Sequence, residues 1–150
     1  MMSIATHMVL QIALLGASGA PIQTYRDAYY QAERQQKPLL VLVGDESSTE
    51  YRKIKTEFLP ALARDGVLKE VAVAVVDLEK HRDIARKIMQ DGPAPQLVLY
   101  LRNGDTWLRS QLSTPESVTE VREFLKNNVE TAASPAVDVN YSVPVQWGSS

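Results

Sequence analysis

The chain contains no cysteine. This excludes thiol–disulfide exchange, disulfide bonds, cysteine–zinc sites, iron–sulfur clusters and a cysteine-borne lipid anchor. It leaves the compartment open, because a chain without thiols behaves alike in oxidising and reducing surroundings. A basic stripe interleaved with aromatic residues is also missing, and the net charge is −2. Nucleic-acid binding, which rests on neutralising phosphates, is therefore disfavoured. No apolar run reaches the roughly 20 residues of a membrane span, so no stable span is expected. Internal repeats and low-complexity segments are absent. Histidine is scarce, with two residues, and His81 is the one in the body of the chain. No cofactor is expected.

What is present suits a single compact domain: 150 residues, 45% hydrophobic and 23% charged. The first charged side chain is Arg26. Before it, the apolar run Met8–Ala17 leads to Ser18-Gly19-Ala20, which resembles the apolar and small-residue parts of a secretory signal. The segment before the run has no Lys or Arg, and Pro21 follows directly. Residues 1–20 read as a signal-like segment, with export or a periplasmic location ahead of a cytoplasmic one; the other reading is an N-terminal extension. Residues 22–130 form the expected domain, and residues 131–150 a C-terminal extension.

Within the domain, Thr24 with Asp27 three positions on marks a helix start. Tyr25, Ala28, Tyr29 and Ala32 then share one helical face, and Lys37-Pro38 ends the helix. Leu39–Val43 and Val71–Val76 are short, continuous apolar runs, the pattern of strands buried on both faces. Ser47 or Ser48 caps the helix between them, with Tyr51, Ile54, Phe58 and Leu62 inward and Pro60 kinking it. Asp77-Leu78-Glu79 leads into a third helix, with Ile84, Ala85, Ile88 and Met89 inward. Gln96–Leu101 and Thr106–Gln111 flank Asn103-Gly104, a strong hairpin signal. A last helix is expected to start at Thr114-Pro115-Glu116, with proline at its first position.

The fold class is α/β: a small mixed central sheet with helices on both faces. Lys37-Pro38 before the first central strand resembles the thioredoxin-like family, in its bacterial branch. So does Ala94-Pro95-Gln96-Leu97-Val98-Leu99-Tyr100 followed by Arg102-Asn103-Gly104-Asp105. The resemblance runs over residues 25–129. It implies that Pro95 is a cis-proline and that an extended peptide could pair with the backbone before it. It also places Ser48-Thr49-Glu50-Tyr51 where redox relatives carry Cys-x-x-Cys at a helix N-terminus. A helix N-terminus brings a thiol pKa into the working range; a serine or tyrosine hydroxyl titrates too high to gain the same reactivity. The buried acid that redox relatives keep in the central strand is also missing between Leu39 and Val43. The expectation is a non-catalytic, non-redox domain that binds a protein or peptide.

Ser48 or Thr49 as a hydroxyl nucleophile with His81 as base would make a different kind of enzyme; a helix cap and a solvated histidine are the plainer reading. Asp45, Glu46, Glu50, Asp77 and Glu79 could gather as hard-metal ligands, but lack calcium-loop spacing. An acidic, solvated rim is favoured, and no metal is assigned. Pro93, Ala94 and Pro95 form the expected peptide groove, with Tyr51 and Pro93 as its apolar wall.

The extension carries one further pattern. Val137, Val139, Tyr141, Val143, Val145 and Trp147 alternate with polar residues or proline, as in a strand with one buried face. Pro144 lacks an N–H and calls for an edge position. Docking along its own domain is favoured over docking onto a partner, which would make a homo-oligomer through residues 137–147.

Overall fold

The computed structural model describes residues 22–132. The signal-like segment 1–20 and the alternating stretch 137–147 lie outside them.

The chain enters through β1 (Ile22–Gln23), two residues that pair in parallel with a later strand, Ile22 opposite Val73. This strand is too short to leave a sequence pattern. Thr24 then caps α1 (Tyr25–Gln35), its hydroxyl accepting the Asp27 N–H at 3.2 Å. The helix closes at Gln36, which takes a left-handed φ of 55°. Pro38 follows, a position at which the helix cannot resume.

β2 (Leu39–Gly44) is buried at all six positions. The next helical stretch begins as α2 (Thr49–Lys53) and ends as α3 (Leu59–Arg64), joined by a π-helical turn over Ile54–Phe58. The Leu59 N–H bonds to the Ile54 carbonyl, five residues back. The wider turn sits just before Pro60, which has no N–H to give to the ladder. The stretch absorbs the proline this way and does not break at it.

β3 (Ala72–Asp77) pairs in parallel with β2. The connection from Asp77 is longer than the sequence suggested, since α4 (Arg82–Ile88) starts only at Arg82. Asp77 accounts for this: its Oδ1 accepts the N–H groups of Glu79 at 2.8 Å and Lys80 at 3.0 Å, holding a turn there. β4 (Gln96–Asn103) and β5 (Thr106–Ser113) form the hairpin over Gly104-Asp105, and α5 (Val118–Ala132) ends the described chain.

The last helix corrects the expectation of a start at Pro115. Thr114 takes a left-handed φ of 45°, and its N–H bonds to the Pro95 carbonyl at 2.8 Å, so the chain is not helical there. The cap is Ser117, which accepts the Glu120 N–H at 3.2 Å. Glu120 reaches back to the Glu116 N–H at 2.9 Å, a reciprocal arrangement close to a capping box.

The sheet order is β1-β3-β2-β4-β5. β1, β3 and β2 are parallel; β4 and β5 return antiparallel. The period of two in β2 divides the core cleanly. Leu39, Val41 and Val43 face α1 and α4 with Ala28, Ala32, Ala85 and Ile88. Leu40 and Leu42 face α2, α3 and α5 with Ile54, Leu62, Val121 and Leu125. Each fully buried aliphatic side chain contributes about 1.5–3 kcal/mol. Trp107 closes the first layer at the β5 edge, with the Arg102 guanidinium 4.7 Å from its ring centre and Arg102 also paired with Glu33 of α1.

Candidate functional site

The C-terminal end of β2 and the loop before β4 meet at one point. Gly44 is the last residue of β2. A Cβ placed on it would stand 2.5 Å from Tyr51 Cδ2 and 3.2 Å from Pro95 Cβ. Only glycine therefore lets the first turn of α2 and the proline loop converge on β2. The Ala94–Pro95 peptide bond is cis.

Of the four residues at the helix start, each has a structural task or faces solvent. The Ser48 hydroxyl accepts the Tyr51 N–H at 3.3 Å and donates to Glu50 Oε2 at 3.0 Å. It is the N-cap of α2. Thr49 is exposed. Glu50 is exposed, and its carboxyl is held below the usual value by its own backbone N–H first and the Ser48 hydroxyl second. Tyr51 is 1% exposed. Burial, then the nearby carboxylates of Glu46 and Asp77, push its phenol up to about 12. A neutral, ionisation-resistant phenol here is a packing group, not a nucleophile at neutral pH.

The Tyr51 position corrects one expectation. Tyr51 does not stand as a wall beside Pro93: it lies beneath the surface, while Pro93 is exposed, Ala94 half-buried and Pro95 buried. Its outer end instead lines a cleft of about 1150 Å³ between the β1–α1 and β3–α4 connections, together with Arg26, Lys55, Asp77 and His81. Ser48 is not among the residues lining that cleft. No hydrogen bond joins the Ser48 hydroxyl to His81, so nucleophile and base are not brought together among the described residues. The acidic residues do not converge either. No three His, Cys, Asp or Glu side chains form a metal-ready group among the described residues. Glu46 turns to Lys55 at 3.2 Å and Lys80 at 3.8 Å. Asp77 is held below the usual carboxylate value, first by the Lys80 N–H.

Sequence reasoning missed what holds the proline loop. Gln96, the first residue of β4, is fully buried. Its Nε2 donates to the Asp91 carbonyl at 2.6 Å and to Ser113 Oγ at 3.2 Å. Gln111 Nε2 also donates to the Asp91 carbonyl, at 3.0 Å. Arg109 donates to Gln111 Oε1 and to the Ile88 carbonyl, both at 2.6 Å. Residues of β4 and β5 thus hold Ile88 and Asp91, and the Thr114 N–H holds the Pro95 carbonyl. Gly92, with φ 93°, passes so close that a Cβ would meet Ser113 Oγ at 2.7 Å. The available signal was Gln96 itself, a polar residue opening an otherwise apolar strand, where burial demands partners. Between these anchors, the N–H and C=O of Ala94 have no hydrogen-bond partner among the described residues.

No family model and no curated protein matches the chain. Solved structures do. The chain is similar to a thioredoxin from Thermus thermophilus, at 17% identity and a TM-score of 0.66, over 78% of this chain and 92% of that one. It is similar to Trxlp from Edwardsiella tarda, at 23% identity and a TM-score of 0.56, over 70% and 98%. It is also similar to Trichomonas vaginalis thioredoxin, at 16% identity and a TM-score of 0.55, over 72% and 94%. The chain has the thioredoxin fold, and it lacks the cysteine pair on which thiol–disulfide exchange depends.

Proposed function

We propose that this chain is a non-catalytic thioredoxin-fold domain that binds an extended protein or peptide segment along Pro93, Ala94 and Pro95. One observation carries the reading. The proline loop is braced before Ala94 by the Gln96, Arg109 and Gln111 side chains and after it by the Thr114 N–H, while the backbone donor and acceptor of Ala94 between them meet no described residue. An extended segment can pair with such groups as an added strand pairs with a sheet edge. A preset loop lowers the ordering cost of that pairing. The helix start at Ser48-Thr49-Glu50-Tyr51 then serves as a capped, packed support under the groove.

Two measurements test this. Insulin reduction by dithiothreitol should proceed no faster with the protein than with buffer; clear catalysis would overturn the non-redox part. Titration of the 15N-labelled protein with a pool of extended apolar peptides should shift the amide of Ala94 and its neighbours. Ala94→Pro, which removes the N–H, should weaken that response at least tenfold. Shifts confined to another surface would overturn the groove assignment.

A further inference from the structure

The cleft beside Tyr51 plays no part in the proline groove. Gln23 of β1 and Asp77 of β3 both line it, at the C-terminal ends of parallel strands. Open α/β sheets hold their ligands outside those ends. At about 1150 Å³ the cleft has room for a small organic molecule, far more than one ion needs.

Tyr51 brings an unmet hydrogen bond to it. The residue is 1% exposed, yet its hydroxyl has no hydrogen-bond partner among the described residues. The ring is enclosed by the core, and the hydroxyl end opens into the cleft. A tyrosine buried to this extent ordinarily finds a partner for its hydroxyl.

The surrounding charges select the partner. A neutral phenol can donate one hydrogen bond and accept others. Glu46 and Asp77 are the charged groups that act on it, and both oppose a second negative charge there. Lys55, 5.8 Å from the Tyr51 ring centre, and Lys80 both pair with Glu46. Half-buried Asp77 is thus the carboxylate left to face a ligand, and neither it nor Glu79 or Asp83 at the rim has a cationic partner among the described residues. Of the remaining cations, Arg26 lies 6.0 Å from the Tyr30 ring centre, outside the cleft, and Arg82 is exposed. Ile22, Val75 and Ile84 add apolar wall along which a hydrocarbon stem can lie.

We infer that this cleft binds a small organic cation, an amine or guanidinium on a short apolar chain, whose head donates to the Tyr51 hydroxyl oxygen and faces Asp77. Calorimetric titration of the full chain with agmatine tests it. Binding should saturate and weaken several-fold between about 0.05 and 0.5 M salt. Succinate and glucose should not bind. Tyr51→Phe keeps the ring against Gly44 and removes only the hydroxyl, so agmatine should bind at least about fivefold more weakly. Arg82→Gln removes a competing charge and should tighten agmatine about twofold, the reverse of its effect on an anion. Acetyl-arginine-amide carries the same head on a peptide backbone: weaker binding than agmatine assigns the site to a free small molecule, equal binding to an arginine side chain of a partner. Ala94→Pro should leave agmatine binding unchanged, so this site and the proline groove fail separately. No saturable agmatine binding, equal binding by Tyr51→Phe, or a preference for succinate or glucose overturns the inference.

Discussion

Replacing Gly44 by alanine tests the central packing claim with one methyl group. The new Cβ would stand 2.5 Å from Tyr51 Cδ2 and 3.2 Å from Pro95 Cβ. Ordinary carbon–carbon contact lies at about 3.5–4.0 Å, so about 1 Å has to be found. Gly44 cannot supply it easily: it pairs with Asp77, and its carbonyl accepts the Leu78 N–H at 2.9 Å. Tyr51 is enclosed at 1% exposure, and Pro95 is tied to Thr114. Overpacking of this kind costs about 1–3 kcal/mol, and relief of glycine's backbone entropy returns up to about 1 kcal/mol. The net expectation is a loss of about 1.5 kcal/mol, or about 0.7 M in urea midpoint and about 5 °C in Tm. Urea unfolding followed by circular dichroism measures it. Tyr51→Leu in the Gly44→Ala background should recover part of the loss, with a coupling of about 1 kcal/mol. A Gly44→Ala protein within about 0.5 kcal/mol of the parent would refute the convergence of β2, α2 and the proline loop on this residue.

Gly92→Ala meets both a left-handed φ of 93° and a 2.7 Å approach to Ser113 Oγ. It should cost about 1–3 kcal/mol and speed amide exchange in residues 89–95, measured by mass spectrometry; an unchanged loop would count against the bracing network. Ser48→Ala should cost about 1 kcal/mol in the urea midpoint and Ser48→Asp almost nothing, as expected for an N-cap; equal losses would argue against that role. Burial raises the phenols of Tyr51 and Tyr100 above their ordinary value. The unfolded chain releases these protons first, so stability is full below pH 10 and falls as pH rises towards 12. Tyr51→Phe should flatten that fall by about 2 kcal/mol; parallel curves for the two proteins would refute the assignment.

The parts of the fold visible in the sequence are those that repeat. Leu39–Val43 and Val71–Val76 needed only continuity to mark buried strands, and Tyr25, Ala28 and Ala32 only spacing to mark a helix face. The parts that stayed hidden depend on contacts between distant residues. Two residues of β1 have no periodicity to show, and their pairing is decided by Val73 and Ala74, about fifty positions away. Thr114 looked like a residue before a helical proline because its bond to the Pro95 carbonyl is not local. The π turn before Pro60 is one of two ways of losing one hydrogen bond, and it keeps Ile54 and Phe58 in the core with residues from β2, β4 and α5.

The same distinction explains the site. The cap could be narrowed to Ser47 or Ser48 from their neighbours alone, the structure choosing Ser48, and Pro95 could be placed from the motif around it. Tyr51 could not be placed so, since the same helical spacing suits a core residue or a groove wall. What decides is Gly44, whose missing Cβ leaves room for the ring beneath the proline loop. In a redox-active thioredoxin fold the helix start has to keep a thiol reachable. Here it holds a buried phenol, an exposed threonine and an exposed carboxylate bonded to the capping serine. The packing that buries Tyr51 also fixes α2 against the loop carrying Ala94. The buried ring at the helix start and the firmness of the proline loop thus depend on the same side chain. A change that loosened Tyr51 should be felt at Ala94 with no change in Pro93, Ala94 or Pro95 themselves.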